Sequence, residues 1–237
     1  MADLVKANIE VFNKEANTYE TDFQEGIRML CEETQRRRLW ISSNWTDTPE
    51  GQGKELKVLE YACGPGHVSR TLEPFVTKAI GLDVSDGMVD EYNKKAREFG
   101  ISPEKMSATI GNILDDDLQD PEYQNFDMVF ISMALHHFSD PSLAIKRLVE
   151  KLRTGGVFWI IDLIDEPNAE HEHKHFSPET AATVHRHGFN VKEVEDMFSK
   201  AGVSMNVKVE VVDKPFQFTR KGHSLKKTIF FARGQKL

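Results

Sequence analysis

Three groups of residues have types and spacings suited to chemistry on a small ligand. The first is Glu60-Tyr61-Ala62-Cys63-Gly64-Pro65-Gly66, where the apolar run Val58-Leu59 passes through an acidic residue into two glycines separated by one position. Such a stretch reads as a strand, a tight turn and a helix N-terminus, and the missing Cβ atoms let a nucleotide-like ligand approach the backbone. The second is Asp83, 17 positions beyond Gly66 at the tip of Ala79-Ile80-Gly81-Leu82, a spacing that suits a carboxylate accepting both hydroxyls of a ribose. Further on, Asn112 and Ile113 offer a side-chain amide and an apolar wall to a base. The third is His136-His137 with Asp162, 26 positions after His136. Imidazole titrates where a general base is useful, and a carboxylate beside it orients the ring and favours its protonated form.

Bringing these groups together requires strand ends that lie side by side. From Lys57 onward apolar runs and helical patterns alternate, with strands expected at 57–61, 78–83, 106–110, 126–132 and 156–163 and helices near 66–74, 86–99 and 140–153. That alternation predicts a doubly wound parallel sheet with helices on both faces, which binds its ligand beyond the C-terminal strand ends where strand order reverses. Asp86 and Asp140 are expected N-caps, Pro141 suits a first helical position, and Gly100 and Gly155-Gly156 stand where helices should stop. Upstream, residues 3–15 and about 18–43 read as amphipathic helices, and the polar, Pro/Gly-containing stretch 46–55 separates them from the sheet. Downstream come a polar, His-rich connection at 164–176, helices starting at Ser177 and Asn190, and β-rich runs at 203–213 and 225–232 joined by residues 214–222. The expected organisation is one domain over 1–237: a helical cap or lid at 1–45, a ligand-binding core at 56–163, and helices with a terminal antiparallel strand pair at 164–237.

The totals narrow the classes. The chain has 237 residues, 39% hydrophobic and 29% charged, and a formal net charge of −8, which argues for an ordinary globular domain and against a general nucleic-acid binder. No apolar run reaches the length of a membrane span, and Met1-Ala2-Asp3-Leu4-Val5-Lys6 lacks the apolar block of a signal peptide, so a cytoplasmic location is expected. Two cysteines, Cys31 and Cys63, are too few for a disulfide framework.

At the glycine turn alone a nicotinamide dinucleotide would be served equally well. Two details argue otherwise: the third small residue of the dinucleotide fingerprint is replaced by Ser69, and Glu60 is foreign to it. Taken in order, Glu60 to Gly66, Asp83, Phe126-Asp127-Met128-Val129-Phe130-Ile131-Ser132-Met133-Ala134-Leu135-His136-His137-Phe138 and Leu152-Arg153-Thr154-Gly155-Gly156 closely resemble the motifs of class I S-adenosylmethionine-dependent methyltransferases. The resemblance covers about residues 57–163 and is nearest to small-molecule enzymes of the ubiquinone and menaquinone biosynthesis type. It implies a Rossmann-like, mostly parallel seven-stranded sheet with an antiparallel C-terminal edge strand. Ala62 departs from the pattern, standing where the family has its first glycine.

The resemblance also implies roles. The backbone at Ala62, Cys63, Gly64 and Gly66 would cradle the methionine part of S-adenosylmethionine, with Glu60 near its ammonium and Ser132 facing it. Asp83 would take the ribose, Val84 and Met88 the adenine ring, and Asn112 with Ile113 its amino edge. Tyr19 is the candidate lid residue. His136 with Asp162 is the candidate catalytic pair, and His137 and His187 are expected to touch a small-molecule acceptor. No metal is required, because a methyl on a sulfonium is already activated. His171, His173 and His175 alternate and could be drawn as a zinc site, but they lack a cysteine partner, and solvent or the acceptor pocket suits them better. The sequence leaves open the acceptor, the atom methylated and whether the chain methylates a protein or binds cofactor without turnover.

Overall fold

The computed structural model describes residues 2–114, 118–167, 177–220 and 223–237. Strands β1 (Lys57–Tyr61), β2 (Lys78–Asp83), β3 (Met106–Ile110), β4 (Phe126–Ser132) and β5 (Leu152–Leu163) run parallel in the order β3-β2-β1-β4-β5. Their apolar runs are near-continuous because both faces are covered. In β4, Met128 and Phe130 enter one core with Val58, Trp159 and Phe231, whereas Val129 and Ile131 enter the other with Leu59, Phe158 and Ile160.

Strand β6 is Val203–Val211 and strand β9 is Ile229–Lys236. The C-terminal β9 runs antiparallel to both β5 and β6, and β6 is the outermost strand, so the terminal pair closes that edge. Between them β7 (Phe216–Arg220) and β8 (His223–Lys227) form a separate two-stranded hairpin, where the sequence suggested only a connection running into a strand.

Helices α1 (Ala2–Glu15), α2 (Tyr19–Asp22) and α3 (Gln24–Ile41) precede the sheet, and α3 packs with α4 (His67–Leu72) and α5 (Asp86–Glu98) against one face. On the other face lie α6 (Pro141–Glu150) and α8 (Val191–Lys200), while the short α7 (Pro178–Ala181) touches α1.

Several expectations are corrected. The second cap helix breaks at Phe23, whose backbone leaves helical angles (φ −114°, ψ 15°) while its ring packs between Tyr19 and Phe218. The N-cap of α5 is Ser85, which accepts from the Met88 amide, rather than Asp86. Asp140 does cap α6. Gly155 and Gly156 do not stop a helix: α6 ends at Glu150, and the pair lies inside β5 near a bulge, with Gly155 at φ +74°. His171, His173 and His175 lie outside the described residues. Among the described residues no helix is long and apolar enough to cross a membrane.

Strand order reverses between β1 and β4, so a crevice opens beyond Tyr61 and Ser132. The residue after each of these strands, Ala62 (φ +52°) and Met133 (φ +54°), is left-handed without being glycine. Such a conformation costs about 1–2 kcal/mol in an L-residue.

Candidate functional site

The two glycines of the first turn do different work. Gly64 (φ +49°) lines a cavity, and a Cβ built on it would meet nothing within 4 Å, so the turn leaves an open cradle there. Gly66 (φ +77°) faces the opposite need, because a Cβ would come within 2.4 Å of the Tyr92 ring on α5. The first glycine serves the cavity and the second serves packing. Asp83 ties the turn to the next loop: its carboxylate accepts from the Gly64 amide and from the Ser85 amide, each at 2.9 Å. Burial pushes its pKa up against those hydrogen bonds.

A cavity opens beyond the turn. Ala62, Gly64, Asp83, Val84, Met88, Asn112, Ile113, Ser132, Tyr19 and His137 all line it, as the sequence suggested. Tyr61 was not anticipated: its hydroxyl accepts from the Ile113 amide at 3.0 Å and donates to Asn112 Oδ1 at 3.3 Å, which fixes the amide on the wall. Helix α1 closes the cavity with Leu4, Val5, Asn8 and Phe12. It is locked there by Asn13, whose Oδ1 accepts from the Ser85 hydroxyl (2.5 Å) and the Gly87 amide (3.1 Å) at the start of α5. Glu20 on α2 adds a second lock, 2.9 Å from both Arg70 and Lys95.

A second cavity adjoins the first, and both are lined by Phe12, Tyr19, Met133 and His137. His136 and His187 line the second only. His136 lies in a single helical turn after β4, and its Nδ1 is 2.7 Å from Asp162 Oδ1. Since the carboxylate accepts, Nδ1 donates to it, which fixes the ring's orientation. Asp162 is fully buried, also takes the Leu163 amide, and keeps Oδ2 without a hydrogen-bond partner. His137 is fixed differently: its Nδ1 donates to the Thr183 carbonyl at 2.7 Å. Burial, with His136 alongside, pushes its pKa down to about 3, so the ring is neutral.

Glu60, Cys63 and Gly66 are not on the wall of either cavity. Glu60 turns away under α4, where its Oε2 accepts from the Ser69 hydroxyl (2.5 Å) and amide (3.2 Å). Desolvation pushes its pKa up to about 8, so the expected carboxylate near an ammonium is instead a buried, protonated acid supporting the turn from behind. The Cys63 thiol is buried, and a Cβ on Gly81 would lie 2.8 Å from its sulfur. Among the described residues no group of three or more His, Cys, Asp or Glu side chains could hold a metal ion.

A family profile described as a methyltransferase domain matches residues 58–156. An uncharacterized methyltransferase of Schizosaccharomyces pombe, C1347.09, is 28% identical over 272 residues, covering 100% of this chain and 95% of the relative. A mitochondrial ubiquinone biosynthesis O-methyltransferase of Candida albicans is 28% identical over 103 residues, 43% of this chain and 30% of that protein. Among solved structures, a Thermotoga maritima S-adenosylmethionine-dependent methyltransferase, described as a possible histamine N-methyltransferase, superposes with a TM-score of 0.65 at 17% identity, covering 97% of this chain and 99% of that one. The YcgJ protein of Bacillus subtilis gives a TM-score of 0.61 at 20% identity over 77% and 92% of the two chains. At those identities the structures speak for the fold alone, a methyltransferase fold, and the sequence matches add that residues 58–156 are similar to a methyltransferase domain.

Proposed function

We propose that the chain transfers a methyl group from S-adenosylmethionine to an oxygen, sulfur or nitrogen nucleophile of a small-molecule acceptor. The observation that carries this reading is the meeting of two cavities along Phe12, Tyr19, Met133 and His137. The residues of the first fit the cofactor: open backbone at Gly64, a carboxylate at Asp83, a fixed amide at Asn112 and apolar side chains at Val84 and Met88. When bound, S-adenosylmethionine supplies a methyl on a positively charged sulfur, already activated for in-line displacement. In this reading Ala62, Gly64 and Ser132 hold the methionine part, Asp83 the ribose, and Val84, Met88, Asn112 and Ile113 the adenine, with Tyr19 as cover.

The second cavity offers the acceptor a concave, mostly apolar wall beside the histidine pair. His136, oriented by Asp162, takes the proton that a hydroxyl, thiol or ammonium acceptor must lose. His137 and His187 contact the acceptor, and the cap keeps water from the transfer path. Calorimetric titration with S-adenosylmethionine, its demethylated product and NAD tests the cofactor: binding of the first two is expected, and binding of NAD alone refutes the assignment. For the base, His136→Ala is expected to lose at least about a hundredfold in turnover while still binding the demethylated product; near-normal turnover removes His136 from the mechanism.

A further inference from the structure

The β7–β8 hairpin leaves the main sheet after β6 and lies against the N-terminal cap instead. Residues two apart on a strand share a face, and here Phe216 and Phe218 both line the second cavity. Phe216 is seated on α3 so closely that a Cβ on Gly26 would come within 2.6 Å of its ring. Phe218 packs on Phe23 at 5.4 Å between centroids, and Phe23 on Tyr19 at 4.8 Å. The hairpin rings are therefore continuous with the ring that lines both cavities. With Phe12 on the same wall, five aromatic side chains surround this space, and Ile27 and Leu30 add aliphatic surface between them.

The polar groups are unevenly spread. His136 and His137 stand beside the transfer junction, Arg186 is held in a bidentate pair by Glu193 at 2.6 and 2.8 Å, and Glu15, Thr180, Thr183, His187 and Lys227 complete the polar part of a wall that is mostly apolar. A polyhydroxylated or zwitterionic acceptor placed against the rings would leave its own polar groups unpaired. A flat apolar ring would meet ring edges and faces there and keep one ionisable group for the histidine end.

Resting on the methyl-transfer reading, we propose that the acceptor is a flat, apolar ring compound gripped between the cap and the hairpin, and that Phe216 and Phe218 select it. The hairpin is then a specificity element, and acceptor choice is made by a stretch of chain remote in sequence from the cofactor turn.

The probe is 2-naphthol, followed by its fluorescence on protein saturated with the demethylated cofactor, with glucose as the polar control. The wild-type chain binds 2-naphthol and ignores glucose. Phe218→Ala weakens naphthol binding about tenfold and leaves cofactor-product affinity within about twofold. Phe218→Leu, which keeps apolar volume and removes the ring, shows an intermediate loss and decides the matter where the alanine variant fails to fold. Protein that binds the demethylated cofactor but not 2-naphthol, or a folded Phe218→Ala that binds 2-naphthol as tightly as the wild type, overturns the inference and leaves the methyltransferase reading standing. A wild-type chain that binds neither S-adenosylmethionine nor its product overturns both.

Discussion

Glu60 offers a stability test with a sign set by its burial. The carboxyl is 2% exposed, accepts two hydrogen bonds from Ser69, and has its pKa pushed from 4.5 up to about 8 by desolvation. Its folded pKa lies above its unfolded one, so its contribution to stability is fully present below about pH 4.5 and is lost as pH rises through about 8. Each pH unit within that window costs about 1.4 kcal/mol, which amounts to about 3 kcal/mol between about pH 5 and about pH 7.5. Glu60→Gln keeps the shape of the protonated acid and an oxygen for both Ser69 donors, but it does not titrate. Urea unfolding of the two proteins across that range should give a gap that moves steadily in favour of the variant as pH rises. A gap that stays flat with pH would show that Glu60 is ionised in the folded state and would refute the reasoning, whatever the absolute stabilities.

Two further outcomes follow from the same crevice. His137 carries the opposite sign: with its folded pKa pushed down to about 3, its contribution is present above about pH 6.5 and is lost as pH falls toward about 3. His137→Gln, which retains a donor for the Thr183 carbonyl, should therefore lose about 2 kcal/mol less than the wild type between about pH 6.5 and about pH 5 in urea melts; equal losses would contradict a neutral His137. At Ala62, held at φ +52° on the cavity wall, Ala62→Gly should raise stability by about 1 kcal/mol in a thermal melt, and a fall would mean the methyl packs better than the backbone strains.

What the sequence revealed and what it hid divide along physical lines. Gly64, Asp83 and Asn112 were legible because each lies at or just beyond the C-terminal end of a strand, and parallel strands ending together bring such residues to one crevice whatever the helices do. The His136–Asp162 pair was legible for the same reason, since β4 and β5 are neighbours. Glu60 was misread because its side-chain direction depends on Ser69 in the following helix, and a carboxyl in a turn gives no sign of whether it faces ligand or core. The break at Phe23 and the hairpin at Phe216–Lys227 share a cause: each is fixed by the other, across nearly the whole length of the chain, and no local periodicity reports such a contact. Gly66 had the right residue type for a different reason, the approach of Tyr92.

The lock made by Asn13 reaches further than the helix it holds. Helix α1 and the hairpin both lie outside the matched segment 58–156, yet between them they contribute walls to both cavities. Each cavity is thus built jointly, the first from the matched segment and α1, the second from Met133, His136 and His137 of that segment together with α1 and the hairpin. A protein trimmed to the matched segment would therefore leave both cavities without a wall, the first losing Leu4, Val5, Asn8 and Phe12 and the second losing Phe216 and Phe218 as well.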